Sequence, residues 1–266
     1  MSPACSVVIP SMAPGLFLDE AVRSVLSEGL DEIEVIVVWD AEVEPPTQEW
    51  QSDARVNVVH MGAHVGTPAA LNAGVRAAGS ALIARLDSDD VSLPGRLSRQ
   101  VDFLQSHQEH SLVAARTYLI DPRGEQQGLG TSMHGLDVRD LLLSRNVVTH
   151  SSVMYRRIDV ETVGGYSLKC NRMQDYHLFL RLGQLGKIAI LPDRMIKYRV
   201  HAGQSSRRPE RFLTHTNEVL VERMRLARHL DRSLWAQAGR NMTWFTGQFL
   251  RYSGLRSLRF DVGATR

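Results

Sequence analysis

Cysteine is scarce in this 266-residue chain, which has only Cys5 and Cys170. Two thiols, one inside an apolar run and one in a polar segment, cannot build a disulfide framework, and neither has the spacing of a metal knuckle. A reducing compartment is the expected setting, and the chain is read as cytoplasmic. Long apolar runs are missing too. No window approaches the ~20 apolar residues a membrane-spanning helix needs. The opening "MSPACSVVIPSMAPG" has neither the basic n-region nor the apolar length of a signal peptide. Net charge is small at +2 but unevenly spread: from Arg207 onward 12 Arg face 5 Asp and Glu, or +7, leaving −5 for residues 1–206. Such asymmetry suits an anionic lipid surface or nucleic acid, but a solvated arginine-rich helix pair is the commoner cause, and no nucleic-acid partner is expected.

What remains is ordinary globular usage, 43% hydrophobic and 23% charged, enough for one large domain with an appendage. "CSVVIP" (5–10) is a short apolar run closed by proline. "FLDEAVRSVLSEG" (17–29) then sets Leu18, Ala21, Val22, Val25 and Leu26 on one helical stripe that stops at Gly29. "IEVIVVWD" (33–40) is a β-branched run of the kind covered on both faces in a parallel sheet, and "VNVVHM" (56–61) repeats it. "GTPAALNAGVRAAG" (66–79) predicts a helix, with Thr67 as N-cap and Pro68 at the first position. "ALIARL" (81–86) follows as strand. This β-α-β-β-α-β order predicts an α/β layer fold with a mixed, mostly parallel sheet flanked by helices.

Farther on, the pattern predicts a helix over 94–107, a strand over 111–120, a Gly- and polar-rich loop over 121–136, a helix near 137–144 and a strand near 151–157. A helix over 174–186 and separate strands in "KIAILP" and "RMIKYRVH" complete this region. From Phe212 the period is purely helical, with Phe212, Thr216, Val219, Leu220, Arg223, Ala227 and Leu230 on one face, and a second helix runs from about Arg232 to Tyr252.

In such sheets ligands bind beyond the carboxyl ends of the strands. Pro10 to Ala13, Asp40, and Asp87 to Asp90 all fall there. Three carboxylates in four positions repel one another and need solvent, donors or a cation. A solvated turn explains them in isolation. Hard cations such as Mg²⁺ or Mn²⁺, however, bind through one or two carboxylates plus substrate phosphates, and a strand tip rich in Asp beside Asp40 offers that set.

The succession "CSVVIP", "FLDEAVRSVLSE", "IEVIVVWD", "GTPAALNAGVRAAGSALIARLDSDDVSLPGRLSRQVDFL", "VVTHSSVMYRR", "VGGYSLKCNRMQDYHLFLRL" and "YRVHAGQSS" resembles the family-two inverting glycosyltransferases of the GT-A nucleotide-diphospho-sugar transferase fold, over about residues 4–206. The resemblance implies a catalytic domain over 1–206, with a nucleotide-binding half at about 1–118, an acceptor-binding half at about 119–206, and a C-terminal helical extension over 207–266. It implies that Asp40 contacts the nucleoside, that Asp87 and Asp89 form the D-x-D, and that Asp90 extends it. Pro10, Met12, Gly66, Asn72, Arg85 and Ser88 join Asp40 and Asp87 on the donor nucleotide. Asp89, Asp90 and His201 then form the metal set for Mg²⁺ or Mn²⁺. Asp175 matches the catalytic base, with Gln174 where the family usually has Glu. His150, Arg199 and Gln174 are implied as acceptor or phosphate contacts, and Arg96 flanks the cluster.

Departures cluster at the nucleoside end. Met12 stands where the family has a stacking tyrosine. Trp39 and Ala41 replace an Asp and a Gly around Asp40, and His64 replaces an Asn. A thioether can pack on a base face, and Trp39 either covers the base or packs in the core. The expected donor is a UDP- or dTDP-sugar, and the acceptor, a saccharide or natural product, is left open. Two other functions remain: a noncatalytic nucleotide-sugar binding protein, and a nucleotidyltransferase, for which the glycine- and basic-rich triphosphate loop is missing. The C-terminal helices, with Trp235, Trp244, Phe245, Phe249 and Tyr252, are read as an intramolecular cap or a homodimer contact ahead of a peripheral membrane face.

Overall fold

The computed structural model describes residues 3–204 and 213–252. In chain order its elements are β1 (Cys5–Ser11), α1 (Leu16–Leu26), β2 (Ile33–Trp39), β3 (Val56–His60), α2 (Thr67–Ala77), β4 (Leu82–Arg85), β5 (Val91–Ser92), α3 (Arg96–Ser106), β6 (His110–Ile120), β7 (Gln126–Leu129), α4 (Arg139–Leu142), β8 (Met154–Arg156), α5 (Arg157–Thr162), α6 (Gln174–Leu182), β9 (Lys187–Arg199), α7 (Leu213–His229) and α8 (Leu234–Tyr252), with 3-10 turns at Glu49–Ser52 and His150–Ser152. The sheet order is β3-β2-β1-β4-β8-β6-β9-β5, with β7 paired to β6. β1 runs parallel to β2 and β4, and β2 parallel to β3, while β8 enters antiparallel between β4 and β6.

Both faces of the sheet are covered, which is why its central strands read as unbroken apolar runs. Val7, Ile9, Val35 and Val37 face α1 and α3, and Val8, Ile36 and Val38 face α2 and the layer that holds α6 and α7. Trp39 packs in the first of these layers and donates its indole N–H to Val43 O at 2.7 Å, so of its two expected places it takes the core.

Three local expectations change. The two strands expected over 187–201 are one, β9, because its pairing with β6 skips from Ala114–Ile190 to Arg116–Arg194. That bulge absorbs Pro192, which has no N–H for the ladder. The expected loop at 121–136 contains β7, a hairpin arm turned by Asp121, whose carboxylate accepts the N–H groups of Arg123 at 2.8 Å and Glu125 at 3.0 Å. The strand expected over 151–157 shrinks to β8, with His150–Ser152 in a 3-10 turn and α5 opening at Arg157. α7 buries Thr216, Val219, Arg223 and Ala227 as the period predicts. Phe212 lies outside the described residues, as do Ser205, Ser206, the boundary near residue 206 and the tail beyond Tyr252.

Gly74 sets the approach of α2 to β1. A Cβ there would meet Val8 Cγ1 at 2.3 Å and Val38 Cγ2 at 3.1 Å, and β-branched Val8 has little rotamer freedom with which to yield. Gly74→Ala is therefore expected to lower stability by about 1–3 kcal/mol in urea unfolding, despite alanine's helix preference of about 1 kcal/mol over glycine. An unchanged or higher midpoint would show that α2 is free to shift.

Burial, reinforced by the charges of Arg181 and Arg225, pushes His177 on α6 down to about 4. The folded chain keeps it neutral, whereas the unfolded chain protonates it near its ordinary pKa of about 6.5. The unfolded state thus binds the extra proton between pH ~6.5 and ~4, and stability falls as pH falls through that window, by roughly 1–2 kcal/mol between pH 7 and 5. His177→Leu should flatten this part of the slope in unfolding midpoints measured across the window.

Candidate active site

The tips of β1, β2 and β4 lie side by side because these strands are parallel and in register. At the end of β2, Asp40 is 2% exposed, and its N–H donates to Ser11 O at 2.8 Å, tying the first two tips together. Its carboxylate accepts the N–H of Val65 at 2.7 Å and of Gly66 at 3.1 Å, and His64 Nδ1 stands 3.0 Å away. Asp40 thus shapes the 64–66 loop, where Gly66 takes φ 90° to open α2. Pro10 and Met12 flank this corner, and Met12 is 54% exposed. Asn72 faces elsewhere: its amide exchanges two 2.8 Å hydrogen bonds with the backbone N–H and C=O of Tyr166. It braces α2 against the 163–170 loop.

Past β4 the chain turns tightly, with Asp90 N–H donating to Asp87 O at 3.2 Å and Ser88 at the corner. This turn gathers the three carboxylates, and one oxygen from each lies within 4.8 Å of the others. Arg85, buried at the strand end, pairs with Asp87 and donates to Ser151 Oγ at 2.9 Å. Ser151 in turn donates to Asp87 Oδ2 at 2.8 Å. Burial pushes Asp87 up, but the charge and hydrogen bond of Arg85 outweigh it and hold the carboxyl below its ordinary value. Asp89 lies 2.8 Å from His201 Nε2, yet burial and the charge of Asp87 raise it. Asp90 is fully buried and accepts the Arg199 N–H at 2.7 Å on Oδ1. Burial, Asp87 and Asp89 push it well up.

Among the described residues, Asp90 Oδ2 is buried with no hydrogen-bond partner. A buried carboxylate oxygen without a partner is costly, and a hard divalent cation is the ligand that three convergent carboxylates suit. These residues fit an Mg²⁺ or Mn²⁺ ion.

Arg199, though buried, is fully engaged. It pairs with Glu20 at 2.5 Å, donates to Asp89 O at 2.8 Å, and stacks over Phe17 at 4.4 Å. It therefore ties β9 and α1 to the acidic turn. Arg96 does the same from below, donating to Arg85 O at 2.7 Å and Val153 O at 3.3 Å. Burial lowers its pKa to about 10 while Glu28 opposes the shift.

Across from the turn, α6 begins with Gln174 and Asp175 after Met173, whose φ of 56° is unusual for a side-chain-bearing residue. Asn146 donates to Asp175 Oδ2 at 2.9 Å. Burial raises Asp175, against the backbone N–H of Tyr176 and the charge of Arg85, and Asp87 acts on it in the same field. His150 is buried 2.8 Å from the Tyr166 hydroxyl, and burial and Arg85 push it well down. It lies beneath the site.

Sequence reasoning missed Ser151, Asn146 and Glu20. Ser151 sits inside the quoted "VVTHSS", where only His150 drew attention, and neither Asn146 nor Glu20 carries a local signal.

Comparisons with known proteins give the family and the fold. The family model described as Glycosyl transferase family 2 matches residues 6–164. The amylovoran biosynthesis glycosyltransferase AmsE of Erwinia amylovora is 28% identical over 216 residues, which span 79% of this chain and 80% of that protein. An Escherichia coli UDP-Gal:alpha-D-GlcNAc-diphosphoundecaprenol beta-1,3-galactosyltransferase is 24% identical over 174 residues, 62% of each chain. Among solved structures, S. aureus TarS 1-349 in complex with UDP-GlcNAc superposes with a TM-score of 0.69 at 13% identity, covering 97% of this chain and 76% of that one, and so shares the fold. The chain belongs to glycosyl transferase family 2 and is a glycosyltransferase built on the GT-A fold.

Proposed function

We propose that this enzyme is a metal-dependent, inverting glycosyltransferase that moves a sugar from a nucleoside-diphosphate sugar to an acceptor hydroxyl or amine. The observation that carries the reading is the pairing of an acidic turn that holds a partnerless buried oxygen, Asp90 Oδ2, with a raised carboxyl, Asp175, in the same electrostatic field. Asp89 and Asp90, with His201 beside them, would hold Mg²⁺ or Mn²⁺. A bound cation stabilises the charge that builds on a departing diphosphate.

The chain's own residues supply the rest. Pro10, Met12, the Asp40 corner with Gly66, and the Arg85–Asp87–Ser88 segment would line the donor nucleotide, with Asn72 bracing that wall. Asp175, oriented by Asn146, takes the proton from the acceptor oxygen as that oxygen bonds to the anomeric carbon. The bond from carbon to the phosphate oxygen breaks, and its electron pair leaves with the nucleoside diphosphate. Attack from the side opposite the leaving group inverts the anomeric centre. A carboxyl raised above its ordinary value is a better base for this step. Gln174, His150 and Arg199 sit on or under the acceptor and phosphate side, within a catalytic unit over residues 1–206.

The names of the E. coli galactosyltransferase and of TarS in complex with UDP-GlcNAc support a uridine diphosphate sugar, with dTDP-sugars as the competing donors to be assayed. Asp175→Asn should lower kcat by roughly 10²–10⁴ with little change in donor affinity by calorimetry. A rate within threefold of wild type would remove Asp175 from the base role. Wild type that binds donor yet releases no nucleoside diphosphate across a broad acceptor panel would make the chain a binding protein instead. Chelation of divalent metal should abolish turnover and Mn²⁺ should restore it. Asp89→Ala should lower Mn²⁺ affinity, read by calorimetry, at least tenfold, since second-sphere losses alone reach roughly 10–100-fold. Full activity in excess chelator would overturn metal dependence.

A further inference from the structure

The Asp40 carboxylate is turned inward. Its side chain is 3% exposed, Oδ1 accepts the Val65 N–H at 2.7 Å, and Oδ2 accepts the Gly66 N–H at 3.1 Å. His64, which replaces the Asn of the resemblance, stands over it with Nδ1 3.0 Å from Oδ2 and 3.4 Å from the Asp40 carbonyl oxygen. Its side chain is nevertheless 63% exposed. Asp40 thus anchors the ring, and the ring meets the solvent.

This anchor fixes a polarity. A carboxylate only accepts hydrogen bonds, so the hydrogen between the two groups belongs to His64 Nδ1. In the neutral ring the other nitrogen, Nε2, then carries a bare lone pair. Among the described residues nothing bonds Nε2. Neighbouring main-chain acceptors are already engaged: Ser11 O takes the Asp40 N–H at 2.8 Å, Trp39 O the Met61 N–H at 3.0 Å, and Val43 O the Trp39 indole N–H at 2.7 Å, while Ala41 O lies 2.9 Å from His60 Nε2. His64 Nε2 is therefore an oriented and unengaged acceptor at this corner. Apolar surface lies close by. Ser11 pairs with Trp39 across the two strand tips, so Met12 follows beside Asp40, and Met12 is 54% and Val65 43% exposed. A thioether and a valine offer a face for a flat ring.

We propose that His64 reads the base of the donor nucleotide, with Nε2 accepting the N3–H of uracil or thymine and disfavouring cytosine. This rests on the reading, given above, that the Asp40 corner lines the donor nucleotide. Uracil and thymine carry a hydrogen on N3, whereas cytosine carries a lone pair there that would face the lone pair of Nε2. Asp40 is then a positioning residue that acts through His64, holding both the ring and its tautomer.

The test is calorimetric titration of the full chain with UDP and with CDP, each with Mn²⁺, at about pH 8, above the ordinary imidazole pKa of about 6.5. UDP is expected to bind at least about tenfold more tightly than CDP, the scale of loss when a polar group faces an unmatched one. His64→Ala should weaken UDP by about that factor and leave CDP within about threefold of its wild-type affinity, which removes the preference. His64→Asn should recover part of the UDP affinity without the preference, because its amide presents either an acceptor or a donor. This second variant decides the matter should the first misfold. Equal wild-type affinity for UDP and CDP, or a preference that survives both variants, overturns the role of His64 and leaves the donor site standing. Wild type that binds neither nucleotide removes the donor site itself, and the role of His64 with it.

Discussion

Three carboxylates within four residues repel one another, and at this strand tip each of them is met by a hydrogen-bond or ion-pair partner, one local and two from the far end of β9 and beyond. Arg85 answers Asp87, His201 answers Asp89, and a backbone N–H of Arg199 answers one oxygen of Asp90. The compensation is incomplete. Asp89 and Asp90 are both raised by burial and by their neighbours, and Asp90 retains an oxygen without a partner. Removing charge from water costs several kcal/mol per ion unless it is paired. The turn that gathers these carboxyls is braced from α1 and β9 through Arg199.

The sheet explains how the pieces arrive. The parallel strands β1, β2 and β4 all end at one edge, which delivers Ser11, Asp40 and Asp87 together. β8 then enters antiparallel, so the residues that precede it, His150 and Ser151, reach the same edge from the opposite direction. Ser151 can thus bridge Arg85 and Asp87 although it lies far along the chain. Arg96 seals the seam beneath by donating to carbonyls on both sides, at Arg85 and Val153.

The last two described helices extend this organisation. α7 buries Val219, Leu226 and Ala227 in the same core as α6, and Arg223, itself buried, donates to Leu143 O at 2.9 Å. α8 reaches that layer through Trp244 against Tyr176. The helix that carries Asp175 is therefore held from behind by α7 and α8. The expectation of an intramolecular cap is met on the face of α8 that carries Gln237 and Trp244.

Much of this was readable in the chain itself. Covered strands must be apolar on both faces and amphipathic helices on one, so "CSVVIP", "IEVIVVWD" and the stripe from Leu18 to Val25 announced their elements, and the strand-end position of Asp40 and Asp87 to Asp90 followed from the alternation alone. Local pattern could not reach what depends on pairing between remote segments. That β9 is one strand through a bulge at Pro192, that Asn72 braces Tyr166, and that Asn146 orients Asp175 are contacts between residues 29 to 94 positions apart or between whole strands. Residue type and spacing determined which groups are acidic and where each strand ends. Only the folded chain decided which of those groups share a low-dielectric space, because burial and the nearest opposite charge, both products of tertiary packing, set whether a carboxyl is quieted like Asp87 or left raised like Asp90 and Asp175.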